Sequence, residues 1–253
     1  MTAAREIAAE AGALIKEMQA GRPEIRHKGA IDIVTDADLR AEEYIRNELS
    51  RRFPDHAVLA EEGGGETEAD VLWVVDPIDG TTNFAHGFPI FAVSIGVMVE
   101  HRAVAGAVYE PNLNEMFTAK LGGGAFLNDR QISVSTVSDF DTALLATGFP
   151  YTLREDYQTV LADFQRVILT CQGVRRAGAA TIDLCFLACG RVDAFWERGL
   201  KPWDTAAAAL VAAEAGAVLT KYDGSDFDDF VPELVASNGA LQKRLLELLQ
   251  PGA

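Results

Sequence analysis

The N-terminal part of the chain carries apolar residues at helical spacing. Residues 3–19 place apolar side chains on one face of a helix, which the glycine and proline at 21 and 23 end. Thr35 and Asp38 have the spacing of a capping box, which predicts a second helix starting near Thr35. Apolar residues then recur every four positions from 41 to 49, and Pro54 ends the pattern.

After residue 54 the spacing of apolar positions becomes that of strands. Short runs rich in valine and alanine alternate with turn signals such as Glu110-Pro111-Asn112. The pattern favours two helices packed against a mostly antiparallel sheet. The predicted strands cover residues 58–60, 71–75, 91–99, 104–109, 115–119 and 124–127.

The C-terminal part alternates strands and helices, which is typical of an α/β arrangement. We place a soft boundary near Val137 and predict an α+β half over residues 1–137 and an α/β half over residues 138–253, with the site between them. The predicted strands cover residues 143–147, 192–196, 218–219 and 234–236, and the predicted helices cover residues 156–170, 178–188, 204–215 and 240–249.

The chain is strongly acidic. Its 253 residues suit one large domain or two closely joined halves, and 38 acidic against 22 basic residues give a formal net charge of −16. This balance argues against direct nucleic-acid binding and against an anionic membrane surface, because both rely on lysine and arginine. Two interpretations stay open: a solubilising surface, or carboxylates clustered to hold divalent cations.

The cysteines and the apolar runs indicate in which cellular compartment the protein is expected. The three cysteines, at 171, 185 and 189, do not suit a disulfide framework, and no histidine lies nearby to complete a zinc site, so we predict buried reduced thiols. No segment resembles a signal peptide, and the longest strongly apolar run, residues 206–213, is too short to span a bilayer. We expect a cytoplasmic protein that does not bind a membrane.

The most informative stretch begins where a buried-looking strand leads into Asp76 and Asp79. A proline fixes the turn between them, so both carboxylates and the Ile78 carbonyl can face one spot, and such oxygen ligands suit Mg²⁺. Gly80 lets the backbone approach a ligand, and the successive N–H groups of Gly80, Thr81 and Thr82 can cradle a phosphate. The alternative is a surface turn, for which Asp-Pro-x-Asp-Gly is a common sequence.

Three further acids stand where either a site or a structural role is possible. Glu61 ends a predicted strand, where a solvated loop is the alternative. Asp204 opens a predicted helix beside a tryptophan, and Asp38 belongs to the capping box, so both also suit helix caps.

Together these residues resemble the inositol monophosphatase family, within the wider superfamily of lithium-sensitive and fructose bisphosphatase-like phosphatases. The resemblance covers nearly the whole chain. Residues 76–84 look like the family's first signature, residues 203–207 leading into 214–216 look like its second, and residues 32–38 match a third pattern. The resemblance implies an α/β (α+β) fold, a layered αβαβα sandwich of the fructose bisphosphatase type, and a homodimer.

The resemblance also implies a metal site. Glu61, Asp76 and the Ile78 carbonyl would hold one Mg²⁺, and Asp76, Asp79 and Asp204 would hold a second. A third, weaker ion would lie near Glu61, and Li⁺ would inhibit by replacing the more weakly held Mg²⁺. The implied reaction is hydrolysis of inositol monophosphate to inositol and phosphate by a metal-activated water, without a phosphoenzyme.

Catalytic and substrate-binding roles follow from the same resemblance. Asp38, Thr81 and Glu61 would orient or activate the attacking water. The substrate would be a small phosphorylated polyol, and Glu197 matches the acid that contacts inositol hydroxyls. Lys28 loosely matches a lysine near the family's site. The residues implied in substrate binding are Asp79, Gly80, Thr81, Gly178, Ala179, Ala180, Glu197 and Asp204.

Two alternatives stay open. A broader phosphatase of the superfamily would act on fructose 1,6-bisphosphate, histidinol phosphate, an adenosine bisphosphate or NADP, and Glu197 disfavours these only mildly because sugars also offer hydroxyls. A regulatory protein that keeps the phosphatase fold would bind a partner, with Arg175, Arg176 and Arg191 as candidate surface residues. A place at the rim of the pocket or an ordinary structural role is the favoured alternative for these arginines. Intact metal ligands favour retained catalysis.

Overall fold

The part of the chain that the structure describes forms two large sheets, one two-stranded sheet and three layers of helices. A computed structural model describes residues 1–21, 23–29 and 31–250. Up to residue 132 the helices are α1 (Thr2–Ala20), α2 (Asp36–Arg52) and α3 (Thr81–Ala85), and the strands are β1 (Ile25–His27), β2 (Ile33–Thr35), β3 (Ala57–Ala60), β4 (Val71–Asp79), β5 (Ala92–Val99), β6 (Arg102–Glu110), β7 (Glu115–Lys120), β8 (Ala125–Leu127) and β9 (Arg130–Ile132).

The remaining elements alternate between strands and helices, as predicted. The strands are β10 (Leu144–Thr147), β11 (Gly173–Arg175), β12 (Ala194–Arg198), β13 (Val218–Thr220) and β14 (Glu233–Ser237), and the helices are α4 (Tyr157–Ile168), α5 (Ala180–Ala188), α6 (Pro202–Thr205), α7 (Ala208–Glu214) and α8 (Gln242–Leu249).

The first large sheet is mostly antiparallel, which confirms the prediction. Its strand order is β3-β4-β5-β6-β7-β8-β9, and the β3–β4 pair is parallel. The register of β4 against β5 shifts between Asp76 and Asp79. In a regular strand, residues three apart point to opposite faces. The irregularity therefore lets both acids approach the same point.

The second sheet contains the parallel strands expected of an α/β half. Its order is β11-β10-β12-β14-β13, in which β10 runs parallel to both β11 and β12. β14 is antiparallel to β12 and to β13. Strands β10 and β12 both end near the cavity described below.

Buried apolar residues divide the fold into five layers. Helices α1 and α2 pack on the outer face of the first sheet, and helices α5 and α7 fill the space between the two sheets. Helices α4 and α8 cover the outer face of the second sheet. The order helix, sheet, helix, sheet, helix confirms the αβαβα sandwich.

Four short strands were not predicted: β1, β2, β9 and β11. Each has three residues, and all three residues of β1 are exposed, so no alternation of apolar and polar positions marks it. Strand β4 also continues beyond the predicted end to include both acids. The proposed boundary near Val137 stays a prediction.

The single helix predicted over residues 204–215 is wrong, because α6 and α7 are separate. They join at Ala206 and Ala207, where the backbone lies against the first sheet. A Cβ added to Gly96 would lie 2.9 Å from the Ala206 Cβ, and one added to Gly106 would lie 2.8 Å from the Ala207 Cα. Two strand glycines thus permit this close approach.

The cysteines occupy different environments. Cys185 is buried, as predicted, whereas Cys171 and Cys189 are only partly buried, and none forms a disulfide within residues 1–21, 23–29 and 31–250. Among the same residues, no helix combines the length and apolar character needed to cross a bilayer.

Candidate active site

Two adjoining cavities lie where the first sheet meets α5, α6 and the end of β12. The first, which we call the acid cavity, has a volume of about 280 Å³. Its lining includes these residues singled out from the sequence: Lys28, Glu61, Asp76, Ile78, Asp79, Gly80, Thr81 and Asp204.

Three carboxylates form the centre of the acid cavity. Asp76, Asp79 and Asp204 each offer an oxygen, and these oxygens lie within 4.8 Å of one another. The three acids come from β4 and α6, 128 positions apart at the extremes (204 − 76). Carboxylate oxygens at this separation, beside the Ile78 carbonyl, are a suitable donor set for a hard divalent cation.

Each of the three carboxylates is oriented by hydrogen bonds. The Ile78 backbone N–H donates to Asp76 Oδ1 at 3.0 Å. Thr181 donates to Asp79 Oδ2 from its backbone N–H at 2.7 Å and from its hydroxyl at 2.5 Å. The Lys201 N–H donates to Asp204 Oδ2 at 2.7 Å. Such supporting donors fix the direction of the free lone pairs.

The cluster is electrostatically costly on its own. Burial, followed by the charges of Glu61, Asp79 and Asp204, raises the pKa of Asp76 well above its usual value. Burial and then Asp79 do the same for Asp204. For Asp79, burial raises the pKa to about 6, although hydrogen bonds from Thr181 oppose the shift. Bound cations would reverse these shifts, so the residues fit a metal centre.

Glu61 lies beside the three-carboxylate cluster rather than within it. Its Oε1 accepts a hydrogen bond from Lys28 Nζ at 2.9 Å, and Lys28 also donates to Glu62 at 2.8 Å. Burial raises the pKa of Glu61, and the Lys28 charge opposes the shift. Lys28 is therefore placed at the acid cavity, next to the proposed first ligand.

Asp38 and Thr81 form a buried hydrogen-bonded pair. The Thr81 hydroxyl lies 2.9 Å from Asp38 Oδ1 and 3.0 Å from the Ile78 carbonyl oxygen. Asp38 Oδ2 accepts from the Thr35 N–H at 2.8 Å and from the Thr35 hydroxyl at 2.6 Å, which confirms the predicted capping box. Burial raises the pKa of Asp38 to about 6, against the hydrogen bonds from Thr35.

Gly80 makes the tight passage from β4 to α3. Its φ of 91° favours glycine, and a Cβ there would lie 3.1 Å from the Ile90 carbonyl oxygen. Asn83 holds the facing loop, because its Nδ2 donates to the carbonyls of Ile90 at 2.7 Å and Ala177 at 2.8 Å. The backbone of Gly80 is thereby exposed to both cavities.

The second cavity, which we call the adjoining cavity, has a volume of about 290 Å³. It shares Asp79, Gly80 and Asp204 with the acid cavity. The other proposed substrate-binding residues in its lining are Gly178, Ala179, Ala180 and Glu197. The structure thus brings every proposed substrate-binding residue to one continuous space, with Thr81 on the acid side.

Glu197 lines the adjoining cavity but not the acid cavity, and we call the region around it the far end of the adjoining cavity. Burial, followed by the charges of Asp183 and Asp79, raises its pKa to about 8, while Arg176 opposes the shift. A Cβ added to Gly148 would lie 2.1 Å from Glu197 Oε2. The absence of a side chain at Gly148 therefore makes room for this carboxyl group.

Several residues of the site were not identified from the sequence. Thr181, Asp183 and Tyr151 were missed. Arg176, for which a partner surface and the rim of a pocket were both considered, lines the adjoining cavity. A signal existed for Thr181 and Asp183, since they are polar positions in an otherwise apolar helix. For Gly148 and Tyr151, which lie on a loop far from the motifs, the sequence carries no comparable signal.

Comparisons with known proteins find relatives over nearly the whole chain. The family model described as "Inositol monophosphatase family" matches residues 1–252. An inositol-1-monophosphatase of Synechocystis is 43% identical over 249 residues, covering 97% of this chain and 87% of that protein. The Nus factor SuhB of Escherichia coli is 40% identical over 225 residues, covering 88% of this chain and 84% of that protein.

Similar proteins are also found among solved structures. The extragenic suppressor protein suhB of Bartonella henselae superposes with a TM-score of 0.95 at 36% identity, over 100% of this chain and 99% of the other. An inositol monophosphatase of Anabaena superposes with a TM-score of 0.90 at 38% identity, over 98% and 94% of the two chains.

Proposed function

This chain belongs to the inositol monophosphatase family, and from that premise we propose that it hydrolyses a small phosphorylated polyol, with inositol monophosphate as the leading substrate and Mg²⁺ as the cofactor. The observation that carries the proposal is the cluster of Asp76, Asp79 and Asp204 within 4.8 Å, open to a cavity that ends at Glu197. An acidic site of this kind accepts a phosphate only together with cations.

The ligands we propose are those implied by the family resemblance. Glu61, Asp76 and the Ile78 carbonyl would hold one ion, and Asp76, Asp79 and Asp204 a second. Bound divalent ions would neutralise phosphate charge and lower the pKa of a coordinated water. A third ion near Glu61 and inhibition by Li⁺ belong to the same proposal.

Thr81 and Asp38 would orient the attacking water. When the Thr81 hydroxyl donates to Asp38 Oδ1, 2.9 Å away, its oxygen lone pairs remain free to accept a hydrogen bond from that water. Glu61, partly buried and held by Lys28, would take part in activating it. The backbone N–H groups of Gly80 and Thr81 would contact the phosphate.

The far end of the adjoining cavity would hold the leaving group. Glu197 can accept hydrogen bonds from hydroxyl groups, and the backbone of Gly178, Ala179 and Ala180 forms the neighbouring wall. A cavity of about 290 Å³ with acidic and backbone polar groups suits a small polyhydroxylated molecule rather than a long apolar one.

Phosphate release tests this function directly. Inositol 1-phosphate and fructose 1,6-bisphosphate should be compared side by side, with Mg²⁺ and with a chelator. We expect Mg²⁺-dependent release that is faster from inositol 1-phosphate. Release that continues undiminished in chelator would contradict the metal-dependent reaction, and a preference for the bisphosphate would contradict the substrate.

A second candidate function comes from relatives that are named Nus factors, including the SuhB proteins at 40–44% identity. The chain would then also bind a protein partner, in addition to acting as a cytoplasmic homodimeric phosphatase. Arg175 is an exposed candidate for such a surface, whereas Arg191 is engaged with Glu115. Loss of activity in Asp79→Asn with partner binding retained would separate the two roles; joint loss would contradict a separable role.

A further inference from the structure

One buried carboxyl group in the adjoining cavity has no part in the reaction proposed above. Asp183 lies in the first turn of α5, is only 2% exposed, and lines the cavity together with Glu197. Its Oδ2 atom is buried and has no hydrogen-bond partner among the residues that the structure describes. Buried polar atoms are nearly always hydrogen-bonded, so an exception inside a substrate-sized cavity calls for a functional explanation.

The charged groups around Asp183 come from three other segments. Asp79 on β4 and Glu197 on β12 are acidic, and Arg176, just before α5, is the basic group whose charge opposes them. Beyond burial, Asp183 is the largest charge that raises the pKa of Glu197. Burial, followed by the charge of Asp79, raises the pKa of Asp183 well above its usual value, and Arg176 opposes the shift, so the buried position of Asp183 favours its neutral form.

Among the residues that the structure describes, none donates a hydrogen bond to the Glu197 carboxyl group. The side-chain hydrogen bonds at this part of β12 involve the neighbouring residues Trp196 and Arg198. Its carboxyl group is confined on one side by the backbone of Gly148. A neutral Asp183, which lines the same cavity, can donate one hydrogen bond to a carboxyl oxygen of Glu197 and leave the other lone pairs of Glu197 for hydroxyl groups.

We propose that Asp183 is a positioning residue that pairs with Glu197 as a neutral acid and thereby makes the enzyme prefer phosphate esters of polyols. The inference rests on the proposed phosphatase function and adds a specificity determinant to it. Asp183 donates, Glu197 accepts, and the substrate's hydroxyl groups complete the hydrogen bonding at the end of the cavity remote from the acid cluster.

Two substitutions separate this role from simple filling of space. Asp183→Asn keeps a neutral group of the same shape that can donate, whereas Asp183→Leu removes all hydrogen bonding. The measurement is kcat and KM for inositol 1-phosphate and for phenyl phosphate, which has no hydroxyl on its leaving group, at saturating Mg²⁺. Cys185→Ala is the control, because Cys185 is on the same helix but packs in the apolar core.

The expected result is a change confined to the polyol substrate. Asp183→Leu should lower kcat/KM for inositol 1-phosphate about tenfold or more, mainly through KM, and leave phenyl phosphate within about twofold. Asp183→Asn and Cys185→Ala should keep the wild-type preference. An unchanged preference in Asp183→Leu, or an Asp183→Asn variant as impaired as Asp183→Leu, would overturn the inference while the phosphatase function stands.

Failure of the proposed phosphatase function can be distinguished from failure of the inference about Asp183. In the first case, the wild type would release no phosphate from either ester with Mg²⁺. If Asp183→Leu does not fold, the inference is tested by the pH dependence of the substrate preference in the wild type and in Asp183→Asn. The wild-type preference for inositol 1-phosphate should fade as rising pH ionises Asp183, whose pKa burial raises well above its usual value, and Asp183→Asn should retain the preference. Parallel profiles for the two proteins would overturn the inference.

Discussion

At the scale of single residues, a helix cap and a site ligand are not exclusive roles. Asp38 and Asp204 each accept the backbone N–H of the residue three positions earlier, Thr35 and Lys201, through one carboxylate oxygen. The other oxygen of Asp38 meets Thr81, and Asp204 also belongs to the acid cluster. These acids could be identified from the sequence because each belongs to a motif of a few consecutive residues.

Residues that reach the cavity from unrelated segments escaped sequence reasoning. Thr181 orients Asp79 across 102 positions, and Gly148 matters only because Glu197 folds against it. In the sequence, Asp183 is a polar residue in an otherwise apolar helix, and only the tertiary structure shows that it lines a cavity. Predicting such residues requires the tertiary fold, since nothing in their own neighbourhoods encodes the partner.

Replacing Thr181 by valine tests how Asp79 is held. The variant loses the hydroxyl that donates to Asp79 Oδ2 at 2.5 Å but keeps nearly the same volume. We expect the Mg²⁺ concentration for half-maximal activity to rise about 10- to 100-fold, as is typical when a group supporting a metal ligand is removed. Thr181→Ser, which keeps the hydroxyl, is the control. Equal Mg²⁺ requirements in both variants would contradict the role.

Adding a methyl group at Gly148 should displace Glu197. The new Cβ would lie 2.1–2.2 Å from the Glu197 carboxyl atoms, too close to be accommodated without movement. Gly148→Ala should therefore lower kcat/KM for inositol 1-phosphate about tenfold or more and affect phenyl phosphate less. Gly173→Ala, where the nearest atom is 3.4 Å away, is the control. A uniform loss on both substrates would refute a leaving-group role for Glu197.

At the scale of elements, long periodic segments were predicted well and short ones poorly. Helix α1 spans Thr2–Ala20 against a predicted 3–19, because its apolar stripe packs on the first sheet. Strand β11 has three residues and β1 is wholly exposed, so neither carries an apolar pattern. The break between α6 and α7 depends on sheet glycines that are distant in sequence.

The start of α2 offers a test at this scale. Thr35 accepts a hydrogen bond from the Ala37 N–H at 3.2 Å and donates to Asp38. Thr35→Ala should lower the free energy of unfolding by about 1 kcal/mol, the usual cost of losing an N-cap side chain. Denaturant unfolding with Mg²⁺ present measures it. Thr35→Ser should retain most of the stability, and an equal loss in both variants would contradict the capping argument.

At the scale of the whole molecule, the acidic composition takes on a specific meaning. The formal net charge is −16, and part of the acidity is concentrated in two cavities at the junction of the two sheets. The sequence left a solubilising surface and a cation site as open interpretations. The cluster of Asp76, Asp79 and Asp204 supports a cation site for these three residues. The exposed acids elsewhere on the chain suit a solubilising surface.

The concentration of acids predicts how stability changes with pH. Burial raises the folded-state pKa of Asp38 and Asp79 to about 6 and of Glu197 to about 8. Between the ordinary carboxyl pKa near 4 and these values, the folded chain binds more protons than the unfolded chain, so stability falls as pH rises. In chelator, the Tm should therefore decrease from pH 5 to pH 8.

Saturating Mg²⁺ should raise the Tm most at the high end of that range, because ionised carboxylates bind the metal. Na⁺ at the same ionic strength is the control for general screening of the net charge. A Tm that rises with pH in chelator, or an equal effect of Na⁺ and Mg²⁺, would contradict the account.

The most direct measurement is a crystal structure with Mn²⁺, which scatters anomalously and prefers the same oxygen ligands as Mg²⁺. The account predicts anomalous peaks bridged by Asp76, one also contacting Glu61 and the Ile78 carbonyl, the other contacting Asp79 and Asp204. Well-ordered crystals in millimolar Mn²⁺ without density between these carboxylates would contradict it.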